Sequence, residues 1–326
     1  MRNGAYFTPL GIGKQRGMAT TQACETAVSR NIPLLSPGTL DVNISINAQI
    51  PRPGTTTTNS MPAKNGFELQ DRDIELLHYV FQLRIATIDH LAALSGRSER
   101  ALWGRLLKLK VRGYIDSVAR FMQKHVYAVG SAGVPVLIEQ GYVPRDLAEK
   151  RLRHHELKEL GIRHSLFVAD IHTRLLLVTK NGPITLPHWQ EGSVLWDSVM
   201  AHEDGPAIPI RPDAYLILKH SGRPEGKNTF HFFLEADRST MSHQRMAAKI
   251  AGYVAYHEQQ LYKAKYRGMK TFLVATVTQT RERAEALRRD LHPLIPHVTS
   301  RDAYLFIPFE DLTLETLLPK AAGAGA

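Results

Sequence analysis

Between Ile210 and Tyr256 the hydrophobic period of the chain changes twice. An apolar run, AYLILK, follows Pro212-Asp213; turn residues fill SGRPEGKN; TFHFFLEAD is β-rich; and after RSTMS apolar positions recur every three or four residues. The pattern predicts a β-hairpin leading into an amphipathic helix. Strand alternation sets His231, Phe233, Glu235 and Asp237 on one face and Phe230, Phe232, Leu234 and Ala236 on the other. On the helix, Met246, Ile250, Val254 and Leu261 predict the apolar stripe, and Arg245, Lys249, Tyr253, Tyr256 and Gln260 the polar one.

Upstream, DRDIELLHYVFQLR repeats apolar residues at helical spacing with acids in its first turn, ATIDHLAALSG gives a short second helix ending at Gly96, and Ser98 is placed to cap a third, SERALWGRLLKLKVRG. YIDSV and KHVYAV, linked by ARFMQ, are β-rich. Helix, helix, helix, hairpin is the order of a winged helix-turn-helix. SAGVPVLIEQGYVPRDLAEKRLRHHELKELG predicts two short bridging helices, and IRHSLFVADIHTRLLLVTK a strongly apolar helix. Thr185 to Trp189 is the first expected strand of the second domain. After the central hairpin and helix, MKTFLVATVT is apolar almost throughout, as a buried parallel strand would be. A surface helix, TRERAEALRRDL, and a last strand, AYLFIPF, follow. Residues 1–66, with their GTTTTNS tract, predict a disordered leader in which Met18 and Met61 are alternative starts, and KAAGAGA a frayed tail.

Composition narrows the class. With 326 residues and 43% hydrophobic positions there is room for two cores. No run of about 18 apolar residues and no secretory signal are visible, and the single cysteine, Cys24, has no internal partner, so a cytoplasmic location without a membrane is expected. A net charge of +10 favours a polyanion. Its local form is sharper: Arg97 to Lys124 holds eight cations against Glu99 and Asp116. Arg97, Ser98, Arg100 and Arg105 near the start of the third helix are expected at base edges. Lys108 belongs to the same DNA-binding set, and Arg120 and Lys124 on the wing are placed for phosphates. A solvated face used for protein contacts is the competing explanation.

Glu235 and Asp237 end one strand side by side, and antiparallel pairing brings Asp213 toward the same edge. Such oxygen clusters suit Mg²⁺. The plain alternative is structural: Asp213 caps a strand, Glu235 pairs with Arg238 or Arg245, and Asp237 with Ser239 or Thr240 opens the helix. His154, His155 and His164 match no ordinary zinc spacing, which favours a solvated linker helix.

Pro212-Asp213, then Glu235-Ala236-Asp237, then a helix with Lys249 and Tyr253, resembles the replication-relaxation family of plasmid and mobile-element proteins over Phe67 to Phe309. The family pairs a winged helix with a domain similar to the PD-(D/E)xK nuclease core. The resemblance therefore implies an α/β chain: a winged-helix DNA-binding domain at 67–130, a helical linker at 131–160, a mixed-sheet, restriction-endonuclease-like domain at 161–310 and a tail at 311–326. It makes Asp213, Glu235, Asp237 and Lys249 the catalytic candidates, and Asp213, Glu235 and Asp170 the ligands of a Mg²⁺ ion. His164 resembles the family's helix-opening histidine, and Trp189 and Glu191 stand where the family carries a tryptophan and an acid. A capping or exposed acid is the other explanation of Asp170. Where the nuclease pattern has lysine two places after the second acid, this chain has Asp237, and Lys249 is the substitute.

The favoured function is a DNA-binding accessory protein of plasmid or mobile-element replication or mobilisation with a nuclease-like domain. The alternatives are a Mg²⁺-dependent endonuclease or nickase and a transcriptional repressor. Double-stranded DNA is the expected partner, with a relaxase, replication proteins and a second copy of the chain as further candidates.

Overall fold

The computed structural model describes residues 67–145, 159–200, 205–296 and 301–318. The predicted leader, residues 146–158 of the expected linker with His154 and His155 among them, and residues 319–326 lie outside the described residues.

Helices α1 (Asp71–Leu83), α2 (Ile88–Ser95) and α3 (Glu99–Val111) are followed by the antiparallel strands β1 (Ile115–Phe121) and β2 (Lys124–Val129). Local chemistry sets the ends. The Ser98 hydroxyl accepts from the Ala101 N–H, and Gly96 closes α2 in the left-handed region at φ 68°. The expected link ARFMQ is shorter in the fold. β1 continues through Phe121, which pairs with Lys124, and the turn is Met122-Gln123 alone, with φ values of 45° and 65°. Positive φ at both central residues gives a turn whose twist matches that of the strands. Leu77, Val80, Leu102, Leu106, Leu109 and Ile115 fill the core beneath. Helix α4 (Gly133–Glu139) begins where a Cβ at Gly133 would lie 2.3 Å from the Tyr114 carbonyl oxygen, so only glycine allows this approach.

Helix α5 (Glu159–Thr179) leads into a five-stranded mixed sheet of order β3-β6-β7-β8-β9. Its strands are β3 (Ile184–Glu191), β6 (Ala214–His220), β7 (Thr229–Asp237), β8 (Leu273–Thr278) and β9 (Tyr304–Pro308). β3, β6 and β7 pair antiparallel; β7, β8 and β9 pair parallel. The parallel connections carry α6 (His243–Glu258), the short α7 (Tyr262–Lys265) and α8 (Arg281–Leu291). β4 (Asp197–Met200) and β5 (Ala207–Ile210) form a small hairpin packed against α6, and α9 (Leu314–Leu317) lies near the end of the chain.

Alternation divides the sheet into two cores. Leu216, Leu218, Phe232, Leu234 and Ala275 pack with Phe167, Ile171 and Leu175 of α5. Tyr215, Ile217, Phe233 and Val274 pack with Met246, Ile250 and Tyr253 of α6 and Leu287 of α8. Covered on both faces, β8 is buried at every position. The polar stripe expected on α6 is corrected here: Tyr253 and Tyr256 are core residues at 1% and 0% exposure, while Leu261, beyond the helix, is 39% exposed. Each ring fills apolar space while its hydroxyl reaches a carboxylate, Tyr253 to Glu235 and Tyr256 to Asp197. Among the described residues no helix is long and apolar enough to cross a membrane.

Candidate functional site

Three acids converge at one end of the sheet, and each has its own base from a different helix. Asp213 enters β6, its N–H donating to the Leu234 carbonyl at 2.9 Å, which places it opposite the end of β7. Its Oδ1 lies 2.9 Å from Nε2 of His164 on α5, and its Oδ2 accepts from the Ala236 N–H at 2.7 Å. Glu235 on β7, 2% exposed, accepts from Lys249 Nζ on α6 through Oε2 and from the Tyr253 hydroxyl at 2.5 Å through Oε1. Asp237, 4% exposed, accepts from Arg283 Nε on α8 at 2.6 Å and from the Ser239 N–H at 3.0 Å.

The electrostatics follow from that matching. Burial pushes the Glu235 carboxyl up, to about 7, against the pull of Lys249. Burial also pushes Asp213 up, but the His164 hydrogen bond, with Lys249 and the Ala236 N–H, outweighs it and holds this carboxyl below its usual range. The bond to Asp213 raises His164 in turn. Lys249 is raised because Glu235 and Asp213 together overcome its desolvation.

Asp213, Glu235 and Lys249 are thus brought together, with Asp237 on the same strand face held by Arg283. Asp170 is not part of this group. It projects from α5 toward α2, where His90 Nε2 is 2.7 Å away. The Thr87 N–H donates to His90 Nδ1 at 3.0 Å, so the ring proton sits on Nε2 and is donated to Asp170. Asp170 is six residues beyond His164, about 9 Å along the helix and about 240° around it, so the two serve different sides of α5. This contact, with Arg84 to Glu191 at 3.3 Å, ties the helical region to the sheet region.

The donor set does not fit the Mg²⁺ ion that the resemblance implies. Both oxygens of Asp213 and of Glu235 already accept from a base, a phenol or a backbone N–H. Among the described residues no group of three His, Cys, Asp or Glu side chains is placed to share a metal. A hard cation needs several free oxygens, and here basic side chains take those positions.

The cations of the helical region divide into two sets. Arg105 turns inward, donating through Nε and a terminal nitrogen to the fully buried Asp73 while resting over Phe67. Arg97 pairs with Glu75 at 3.3 Å, Lys124 with Asp89 at 2.5 Å, and Ser98 is spent on its capping bond. Arg100, Lys108 and Arg120 are exposed, as is Lys110, which lies outside the expected DNA-binding set. Burial lowers His125, and the charges of Arg120 on the hairpin and Lys110 on α3 lower it further.

Two features here escape a charge count. Arg105 lies three residues after Leu102 and four before Leu109, inside the apolar stripe of α3, and that spacing marks it as inward-facing. Trp103, Leu107 and Val111, four residues apart, are exposed on the outer face by 61%, 47% and 75%.

The sequence model of a family described as replication-relaxation matches residues 77–272, from α1 through β7 and α6 to the edge of β8. No curated protein and no solved structure matches the chain.

Proposed function

Because the chain belongs to the replication-relaxation family, we propose that it is a DNA-binding accessory protein for the replication or mobilisation of a plasmid or mobile element. In this proposal α1–α3 with the β1–β2 hairpin is a winged helix that docks on DNA. The sheet is a PD-(D/E)xK-like core whose acid end is closed by ion pairs and serves as a structural anchor. The observation that carries the proposal is the outward set Arg100, Lys110 and Arg120, exposed and contributed by both α3 and the hairpin. Buried or paired cations stabilise a fold, whereas spare ones near each other create a field for phosphate.

The test is the triple variant Arg100→Ala/Lys110→Ala/Arg120→Ala against wild type in duplex binding at several salt concentrations. The expected result is weaker binding, with a log–log salt slope shallower by about 0.9 for each phosphate that is no longer neutralised. Equal affinity and equal slope would remove this face from the DNA surface.

A second reading, a Mg²⁺-dependent endonuclease, rests on the adjacency of Asp213, Glu235 and Lys249 alone, and the ion pairs and hydrogen bonds that occupy the carboxylate oxygens weigh against it. Supercoiled plasmid incubated with the protein and Mg²⁺ separates the two. Nicking that disappears in Asp213→Ala/Glu235→Ala would establish the enzyme, and intact plasmid that is nonetheless bound supports the accessory role.

A further inference from the structure

The outer face of α3 is built unlike a surface that meets only water or only phosphate. Trp103, Leu107 and Val111 form one stripe along it, and Met122 at the hairpin tip is 81% exposed. Between helix and hairpin lies a cleft of about 330 Å³ lined by Trp103, Arg100, Gln123, His125, Tyr127 and Ile88. Glu99 and Lys124 at its rim are engaged with each other at 3.7 Å, and Lys124 also with Asp89. The spare charge at the cleft therefore belongs to Arg100, and Arg120 pairs with His125 across the hairpin. The Ser117 hydroxyl, 2.7 Å from His125 Nδ1, fixes that ring.

We propose that this cleft receives an unstacked nucleobase against the Trp103 indole, so that the protein prefers DNA with unpaired bases over fully paired duplex. The proposal rests on the DNA-binding reading of the same helix and specifies what the helix holds. In an intact duplex the base faces are covered by their neighbours, and the groove offers polar edges with the thymine methyl as the apolar exception. A large exposed apolar stripe is poorly matched to that surface. An unpaired base offers an apolar face to an indole and polar edges to the Gln123 amide and the Arg100 guanidinium, while the surrounding cations meet its backbone. A second copy of the chain is the other conceivable occupant. Across a two-fold axis, however, this face would set Arg100, Lys110 and Arg120 near their own copies, and like charges in an interface oppose association.

The experiment uses the full chain carrying Trp196→Phe, which removes an exposed indole elsewhere; Trp189 is buried, so Trp103 becomes the exposed reporter. Three probes are titrated: a duplex, the same duplex with a central bubble of mismatches, and one of its single strands. The bubble and the single strand are expected to quench the indole fluorescence and to bind more tightly than the duplex. Trp103→Ala should weaken bubble binding by roughly 5- to 150-fold for one stacked base, with duplex affinity unchanged, and Trp103→Phe should keep most of the preference. Bubble and duplex bound alike, or a Trp103→Ala variant that binds the bubble like wild type, would overturn the stacking site while leaving salt-dependent DNA binding intact. Failure to bind any of the three probes would remove both readings. A wild-type dimer that Trp103→Ala converts to monomer in sedimentation, without a change in bubble affinity, would assign the stripe to self-association and overturn the proposal.

Discussion

In the helical region the cations Arg100, Lys110 and Arg120 are exposed, whereas at the end of the sheet Lys249 and Arg283 meet buried carboxylates and His164 meets Asp213. Both regions are rich in ionisable groups, yet burial decides what the groups do. A carboxylate withdrawn from water must find a base or stay protonated, so the sheet end saturates its own charge and ties α5, α6 and α8 to the strand ends. An exposed guanidinium carries no such requirement and remains available to a polyanion. Net charge alone does not separate the two regions; local pairing does.

The sharpest break of this comparison lies within a single helix. Arg105 and Arg100 are both on α3, but Arg105 holds a fully buried Asp73 and Arg100 is exposed. Arg105→Ala is expected to cost about 3–5 kcal/mol of stability in urea unfolding, because it strands a buried carboxylate. Arg100→Ala should leave the denaturation midpoint where it was and lower DNA affinity. If the two variants change stability equally, the division of α3 into an inward and an outward set is wrong.

At the sheet, Lys249→Met removes the base from Glu235 and should cost about 3 kcal/mol at pH 8. The loss should shrink toward pH 5: Glu235 is already raised to about 7, rises further without the lysine, and takes up a proton instead of standing as a buried anion. Adding Glu235→Gln should recover most of the stability, since the amide oxygen still accepts from the Tyr253 hydroxyl while no charge remains. A double variant no more stable than the single one would show that the lysine matters for packing and not for charge.

These contrasts also mark where the sequence is legible. Hairpin alternation and helix spacing place Asp213, Glu235 and Lys249 in one neighbourhood, because those relations are local or follow from a hairpin register. The same periodicity contains the Arg105 signal, since a cation inside an apolar stripe must find a buried acid, and Asp73 occupies the equivalent position four residues before Leu77 on α1. The contacts of Asp237 with Arg283 and of Asp170 with His90 span 46 and 80 residues, so tertiary packing sets them and no local pattern encodes them. Tyr253 and Tyr256 mislead for another reason: a phenol counts as polar in a pattern, yet it buries whenever its hydroxyl can reach a carboxylate.

The smallest expected effect lies at the rim of the acid cluster, where the side chain of His164 is 39% exposed and that of Asp213 20%. Bonding to Asp213 raises His164 above its usual 6.5, so the folded state holds a proton that the unfolded chain releases. The resulting stability is fully present below pH 6.5 and is lost as pH rises through the folded value. Asp213 is depressed below 3.8, so its share is present above that pH and fades as pH falls through its folded value. Wild type should therefore exceed His164→Gln most clearly between pH 3.8 and 6.5, with the gap closing toward alkaline pH, because glutamine keeps a donor but carries no charge. Solvent screening at this half-open position and repulsion from Lys249 keep the difference below about 1 kcal/mol. A gap that stays constant across that range would mean that the hydrogen bond to Asp213, and not the imidazolium charge, is what His164 contributes.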